Sequence, residues 1–178
     1  MAALSLAHFG SADIMVVVIG AAACAWDVTT RRLPNLLTLG GAAVGLLCAV
    51  ATHGVQGLLV SVAGWAVGLA VFLPLFLLRG LGAGDVKLMA CIGAWLGPAL
   101  AFWSAMYAAI AGGVLALVVA LAGGYVLPAL SNVYLLLAHF RVAGVRPHPE
   151  LTLERGTGPR LPYAVPIAAG TLAALFLR

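Results

Sequence analysis

Charge is what this chain has least of. Only 8% of its 178 residues are Asp, Glu, Lys or Arg, against roughly 25% in ordinary globular chains. Carboxylate chemistry therefore has five candidates in all: Asp13, Asp27, Asp85, Glu150 and Glu154. Cysteine is equally scarce. Cys24, Cys48 and Cys91 sit singly in apolar runs, and without CxxC spacing they form neither a disulfide framework nor a zinc motif. They read as small buried hydrophobes. His8, His53, His139 and His148 are isolated and no HExxH occurs, so a metal site cannot be argued from them. No Lys or Arg precedes Arg31, which leaves out the basic start of a signal peptide. The first apolar segment is thus expected to stay as a membrane helix. A basic stripe interleaved with aromatics is also missing, which sets nucleic acid aside as a partner. The net charge of +4 bears on topology and anionic lipid instead.

What the chain does have is hydrocarbon: 64% hydrophobic residues and a mean hydropathy of +1.15. The apolar runs are long and unalternating, unlike the short alternating strands of a membrane barrel. The expected fold is all-α and polytopic, because lipid offers the backbone no partners outside the helix. We read a single membrane-embedded domain, 1–178, of six helices. They cover about 7 or 12–26, 36–51, 57–78, 86–96, 99–121 and 162–177, with Pro74 kinking the third and Gly97-Pro98 turning the chain. Residues 123–140 read as a helical extension or an interfacial helix, and 141–161 as a polar loop. Within that loop Glu150 and Glu154 are expected to pair with Arg146 or Arg155.

Eight of the nine Lys and Arg residues fall in three loops on one side of this topology, and only Arg178 lies at the far end. Positive-inside bias makes that side cytoplasmic, with the N-terminus outside. Three small-xxx-small patterns, Gly41/Gly45, Gly64/Gly68 and Gly93/Gly97, allow close helix approach in the bundle.

The stretch from Gly80 to Leu88, Gly-Leu-Gly-Ala-Gly-Asp-Val-Lys-Leu, interrupts the hydrocarbon. Its glycines permit positive φ or a close backbone approach. An aspartate at such a junction is a functional candidate by default. Taken alone, Asp85 reads equally well as the cap of a helix starting at Val86, accepting from an N–H near Lys87 or Leu88. Asp27 is more telling, since a carboxylate at a helix C-terminus faces the negative end of the macrodipole. Its other reading is a surface pair with Arg31. The topology puts both aspartates at the cytoplasmic surface, 58 residues apart in sequence, and Asp13 on the outer side. Two carboxylates in a partly desolvated site do not easily both ionise, which suits one as acid and the other as base.

Gly82-Ala83-Gly84-Asp85, continuing Val86-Lys87-Leu88, resembles the GxGD motif of type IV prepilin peptidases. Asp27-Val-Thr-Thr-Arg31-Arg32-Leu33-Pro34-Asn35 is similar to that family's first-aspartate motif, and Pro162-Tyr163 to the opening of its final helix. The resemblance implies a membrane aspartic endopeptidase with Asp27 and Asp85 as the catalytic pair. Gly82, Gly84, Lys87, Pro34 and Asn35 are the supporting motif residues, Lys87 reading more simply as a positive-inside anchor. It implies no cofactor, and a partner in the leader of a prepilin and the start of its hydrophobic helix. The implied location is the inner membrane of a bacterium. The short form looks like the peptidases of tight-adherence (Flp) pili, and the missing cysteine pairs set it apart from the bifunctional, N-methylating members. The competing class is a small proton-coupled transporter or channel subunit that uses the same aspartates as relay groups.

Overall fold

The computed structural model describes residues 10–78, 80–143 and 162–178. Most of the expected 141–161 loop, with the Glu150 and Glu154 pairings, lies outside the described residues, as does Arg79. Among the described residues the chain is helical throughout: α1 (Ser11–Thr30), a π-helical turn (Leu36–Gly40), α2 (Gly41–Leu77), α3 (Ala83–Ala122), α4 (Val126–Ala143) and α5 (Ala164–Phe176). Three apolar stretches, Ser11–Thr30, Leu36–Leu77 and Ala83–Ala122, are long and apolar enough to cross a membrane.

α2 and α3 are each bent double. Their 37 and 40 residues laid straight would run roughly 55–60 Å, about twice the ~30 Å of a bilayer's hydrocarbon. Each contains one glycine off the helical path, Gly54 at φ 57 and Gly97 at φ 78, backbone angles that glycine adopts without strain. The bend is a reversal. The carbonyl of Ala49 lies against Gly57, and the Cβ of Ala101 against Gly93, pairs eight residues apart that a straight helix would separate by about 12 Å. The expected turn over 52–56 therefore shrinks to the single residue Gly54, while the Gly97-Pro98 turn is observed as read. Pro74 lies inside α2.

The small-xxx-small patterns sit where the limbs pack. Gly64 lies against the carbonyl of Gly93, and Gly68 against that of Met89, so backbones touch with no side chain between them. Gly41 accommodates Cys91 and Gly45 the ring of Trp95. Polar groups add interhelical ties: Ser61 donates to the carbonyl of Ala94 at 2.5 Å, and Trp95 Nε1 to that of Gly41 at 2.9 Å. In lipid such ties are worth ~0.6 kcal/mol on average. The first limb of α3 is the core, with Leu88, Met89, Cys91 and Ile92 fully buried.

α1 and α5 run antiparallel and are joined at both ends. Arg178 binds Asp13 with Nη1 at 3.0 Å and Nη2 at 2.5 Å, while at the opposite end Ala164 meets Asp27. Gly20 faces Ala168 between them. A cavity of about 580 Å³ opens at the Asp13 end, lined by Ser11, Cys48, His53, Gln56 and Trp95 among others.

Several element limits move. α1 continues one turn past Trp26, with the Thr29 and Thr30 hydroxyls turned back onto the carbonyls of Ala25 and Trp26. It ends at Arg31, whose φ of 52 places it in the left-handed region. α3 starts at Ala83, three residues before the expected Val86. Residues 123–140 are no extension of α3. Gly124 at φ 69 breaks the chain, and a separate helix, α4, begins at Val126.

Candidate active site

At the end of the bundle away from Asp13, a cleft of about 360 Å³ is lined by Asp27, Arg31, Arg32, Leu33, Asn35, Gly82, Ala83, Gly84, Asp85 and Lys87. Two stretches of sequence supply all of it.

Asp27 lies in the last turn of α1 and is 8% exposed. Its place at the negative end of the α1 dipole is offset by the start of α5. Ala164, the first residue of that helix, donates its backbone N–H to Asp27 Oδ2 at 3.1 Å. The positive end of the α5 dipole is thereby aimed at the carboxylate. One turn back along α1, Cys24 Sγ donates to the Ala164 carbonyl at 3.4 Å.

Asp85 is the third residue of α3, not the cap of a helix starting at Val86. Its carboxyl turns back toward Gly82, away from the forward cap on Lys87 or Leu88 that the sequence suggested. It is partly buried, and close enough to Asp27 for the two charges to interact. The motif thus straddles the helix start: Gly82 caps it, and Ala83, Gly84 and Asp85 form its first turn. None of Gly80, Gly82 and Gly84 has a positive φ; the last two serve close approach. A Cβ on Gly82 would stand 3.0 Å from Asp85 Oδ2, and one on Gly84 would stand 3.1 Å from the Cβ of Leu33.

The two motifs touch a second time. Lys87 Nζ donates to Asn35 Oδ1 at 2.9 Å, so this lysine links the stretches as well as carrying charge. Pro34 does not line the cleft. Its carbonyl accepts from the N–H groups of Leu37 and Thr38 at 3.1 and 3.3 Å and so starts the π-helical turn after Asn35.

Sequence reasoning placed none of three residues at this site: Cys24, read as a buried hydrophobe and here half-buried, Tyr163, read as the opening of the last helix, and Ala164. Tyr163 packs against the buried core. Burial first, and the Asp85 carboxylate second, push its phenol above the ordinary value, so it stays a neutral hydroxyl at neutral pH. The Pro-Tyr pair was a usable signal for this region. Ala164 had none, since it contributes a backbone amide.

No group of three or more His, Cys, Asp or Glu side chains gathers among the described residues. Chemically, the cleft offers two carboxyl groups from separate helices, that of Asp27 held by the Ala164 amide, under a rim of arginine and lysine.

No curated protein and no solved structure matches the chain. The profile of one family does, over residues 14–121, a stretch that holds both aspartates and ends before α4 and α5. The chain belongs to the type IV leader peptidase family.

Proposed function

We propose that the chain is a membrane aspartic endopeptidase that cleaves the leader from type IV prepilins of the tight-adherence (Flp) kind, with Asp27 and Asp85 as its catalytic dyad. The observation that carries this reading is their convergence: two carboxylates 58 residues apart in sequence line one cleft. Two carboxylates sharing one cleft disfavour double ionisation. One carboxyl then holds a proton and polarises the scissile carbonyl, while the other takes a proton from the attacking water. The tetrahedral intermediate collapses as the leaving amine gains a proton, and the dyad regains its starting state.

α1, the two limbs of α2, the two limbs of α3, and α5 make six crossings in this reading, with α4 at the interface. The cleft end carries Arg31, Arg32 and Lys87 and faces the cytoplasm by positive-inside bias, with the N-terminus outside the inner membrane. A prepilin helix lying in the bilayer presents its leader at that face. Both aspartates lie at one end of the bundle, while Asp13 at the other end is ion-paired with Arg178. That arrangement favours a peptidase over a relay along a crossing path.

The test is co-expression with a prepilin and inspection of its mobility on a gel. Asp27→Asn and Asp85→Asn are each expected to abolish cleavage in folded, membrane-inserted protein. The double variant should be no worse than either alone, as for residues that act as a unit. Substantial cleavage by either single variant overturns the dyad.

A further inference from the structure

One turn of α1 holds the first residue of α5 by both of its backbone polar groups. The Ala164 N–H donates to Asp27 Oδ2 at 3.1 Å, and the Ala164 carbonyl accepts from Cys24 Sγ at 3.4 Å. Cys24 and Asp27 are three residues apart and share a helix face, so both contacts come from adjacent positions on one rigid surface. Ala164 is fully buried and Tyr163 packs against the same core, which leaves the amide little freedom to swing away. Tethering Oδ2 fixes the plane of the carboxyl group, and with it the direction of Oδ1. General-base chemistry depends on that direction, because the base must sit within hydrogen-bond reach of the proton it removes.

The tether is not what keeps α5 in place. Gly20 packs on Ala168 midway along the seam, and Asp13 binds Arg178 at its far end. Loss of the Ala164 amide therefore acts on the carboxyl geometry more than on the fold.

We propose that the start of α5 is the positioning element of the dyad: the Ala164 amide orients the Asp27 carboxyl, and Cys24, acting through the Ala164 carbonyl, holds that amide in register. This rests on Asp27 being one of the catalytic pair. It gives a role to a helix that lies outside the matched residues 14–121, and it separates Cys24 from the two other cysteines.

The experiment measures kcat, KM and thermal stability of purified enzyme in lipid nanodiscs, with a purified prepilin as substrate. Ala164→Pro removes the amide hydrogen at the first helical position, where a missing N–H is tolerated; because its ring enters a fully buried site and disfavours the αR backbone of Tyr163, thermal stability is read first and only the folded variant is assayed. Its kcat should fall roughly 10- to 100-fold, the order lost when an outer partner that orients a site's ligand is removed, with KM unchanged within about twofold. Cys24→Ser keeps a donor and should stay within about twofold of the unaltered enzyme, whereas Cys24→Val, apolar and without a donor, should lose roughly three- to tenfold in kcat. A folded Ala164→Pro enzyme with undiminished kcat, or one changed in KM alone, overturns the proposal. If that variant does not fold, the cysteine pair decides: equal kcat for Cys24→Ser and Cys24→Val overturns it, and a deficit confined to valine supports it. Asp27→Asn runs alongside. Cleavage by that variant removes the dyad and this proposal together, while an inactive Asp27→Asn beside an unimpaired Ala164→Pro removes the tether alone.

Discussion

The ion pair between Asp13 and Arg178 offers a clean separation of stability from catalysis. Asp13 is 5% exposed and occupies the third position of α1, where its carboxyl also accepts from the Gly10 amide at 2.9 Å. Arg178 reaches it with two nitrogens, at 3.0 and 2.5 Å. A charge-assisted hydrogen bond contributes ~1.5–3 kcal/mol when shielded. The arginine side chain is 35% exposed, so screening brings the expected coupling down to ~1–2 kcal/mol. Asp13→Asn keeps an acceptor for the Gly10 amide, because Asn and Asp serve helix starts about equally; what it loses is the charge facing Arg178. A double-mutant cycle of Asp13→Asn and Arg178→Gln, read by thermal unfolding in detergent, should return that coupling. Prepilin cleavage by the folded single variants should be unchanged, since Asp13 and Asp27 are 14 residues apart on α1, about 21 Å along its axis. A coupling below ~0.3 kcal/mol would show that solvent has already neutralised the pair. Lost cleavage in well-folded Asp13→Asn protein would refute the claim that the two ends of α1 do separate work.

Two further outcomes are expected. Lys87→Met and Asn35→Ala, which each break the 2.9 Å link between the motifs, should lower cleavage by roughly three- to tenfold, the equivalent of one hydrogen bond near 1 kcal/mol, and the double variant should be no worse than the singles; additive losses would mean that the two side chains act separately. Single cysteines placed at Gly82 and at His53 in a background without Cys24, Cys48 and Cys91 should react with an impermeant maleimide from opposite sides of the membrane, and labelling from the same side would contradict the six-crossing topology.

Much of this molecule could be read before folding it. Hydrocarbon runs gave the helices, Gly97-Pro98 gave a reversal, and the glycine pairs marked where helices approach closely, backbone to backbone at Gly64, Gly68 and Gly93, because each of these signals is local. The cleft was legible for the same reason: both aspartates sit in short, polar interruptions. Exact helix limits were not. Thr29 and Thr30 look like loop residues, yet α1 runs on through them past Asp27, their hydroxyls turned inward onto the carbonyls of Ala25 and Trp26. The helix start at Ala83 was hidden because a carboxyl at the third position suits a helix start as well as one at the cap. Long-range partners were invisible altogether. Asp13 read as a spare acid on the outer side, and its arginine lies 165 residues away.

The contact between Asp27 and Ala164 also has a meaning in time. Its two members are 137 residues apart, so a ribosome adding about 5–20 residues per second makes the aspartate roughly 7–27 s before it makes the amide that holds it. Asp85 follows Asp27 by 58 residues and precedes Ala164 by 79, so for the later part of that interval both carboxylates exist without the amide that holds the first. A peptidase arranged in this way is born incomplete. Its nascent chain holds both aspartates well before the start of α5 exists to tether one of them.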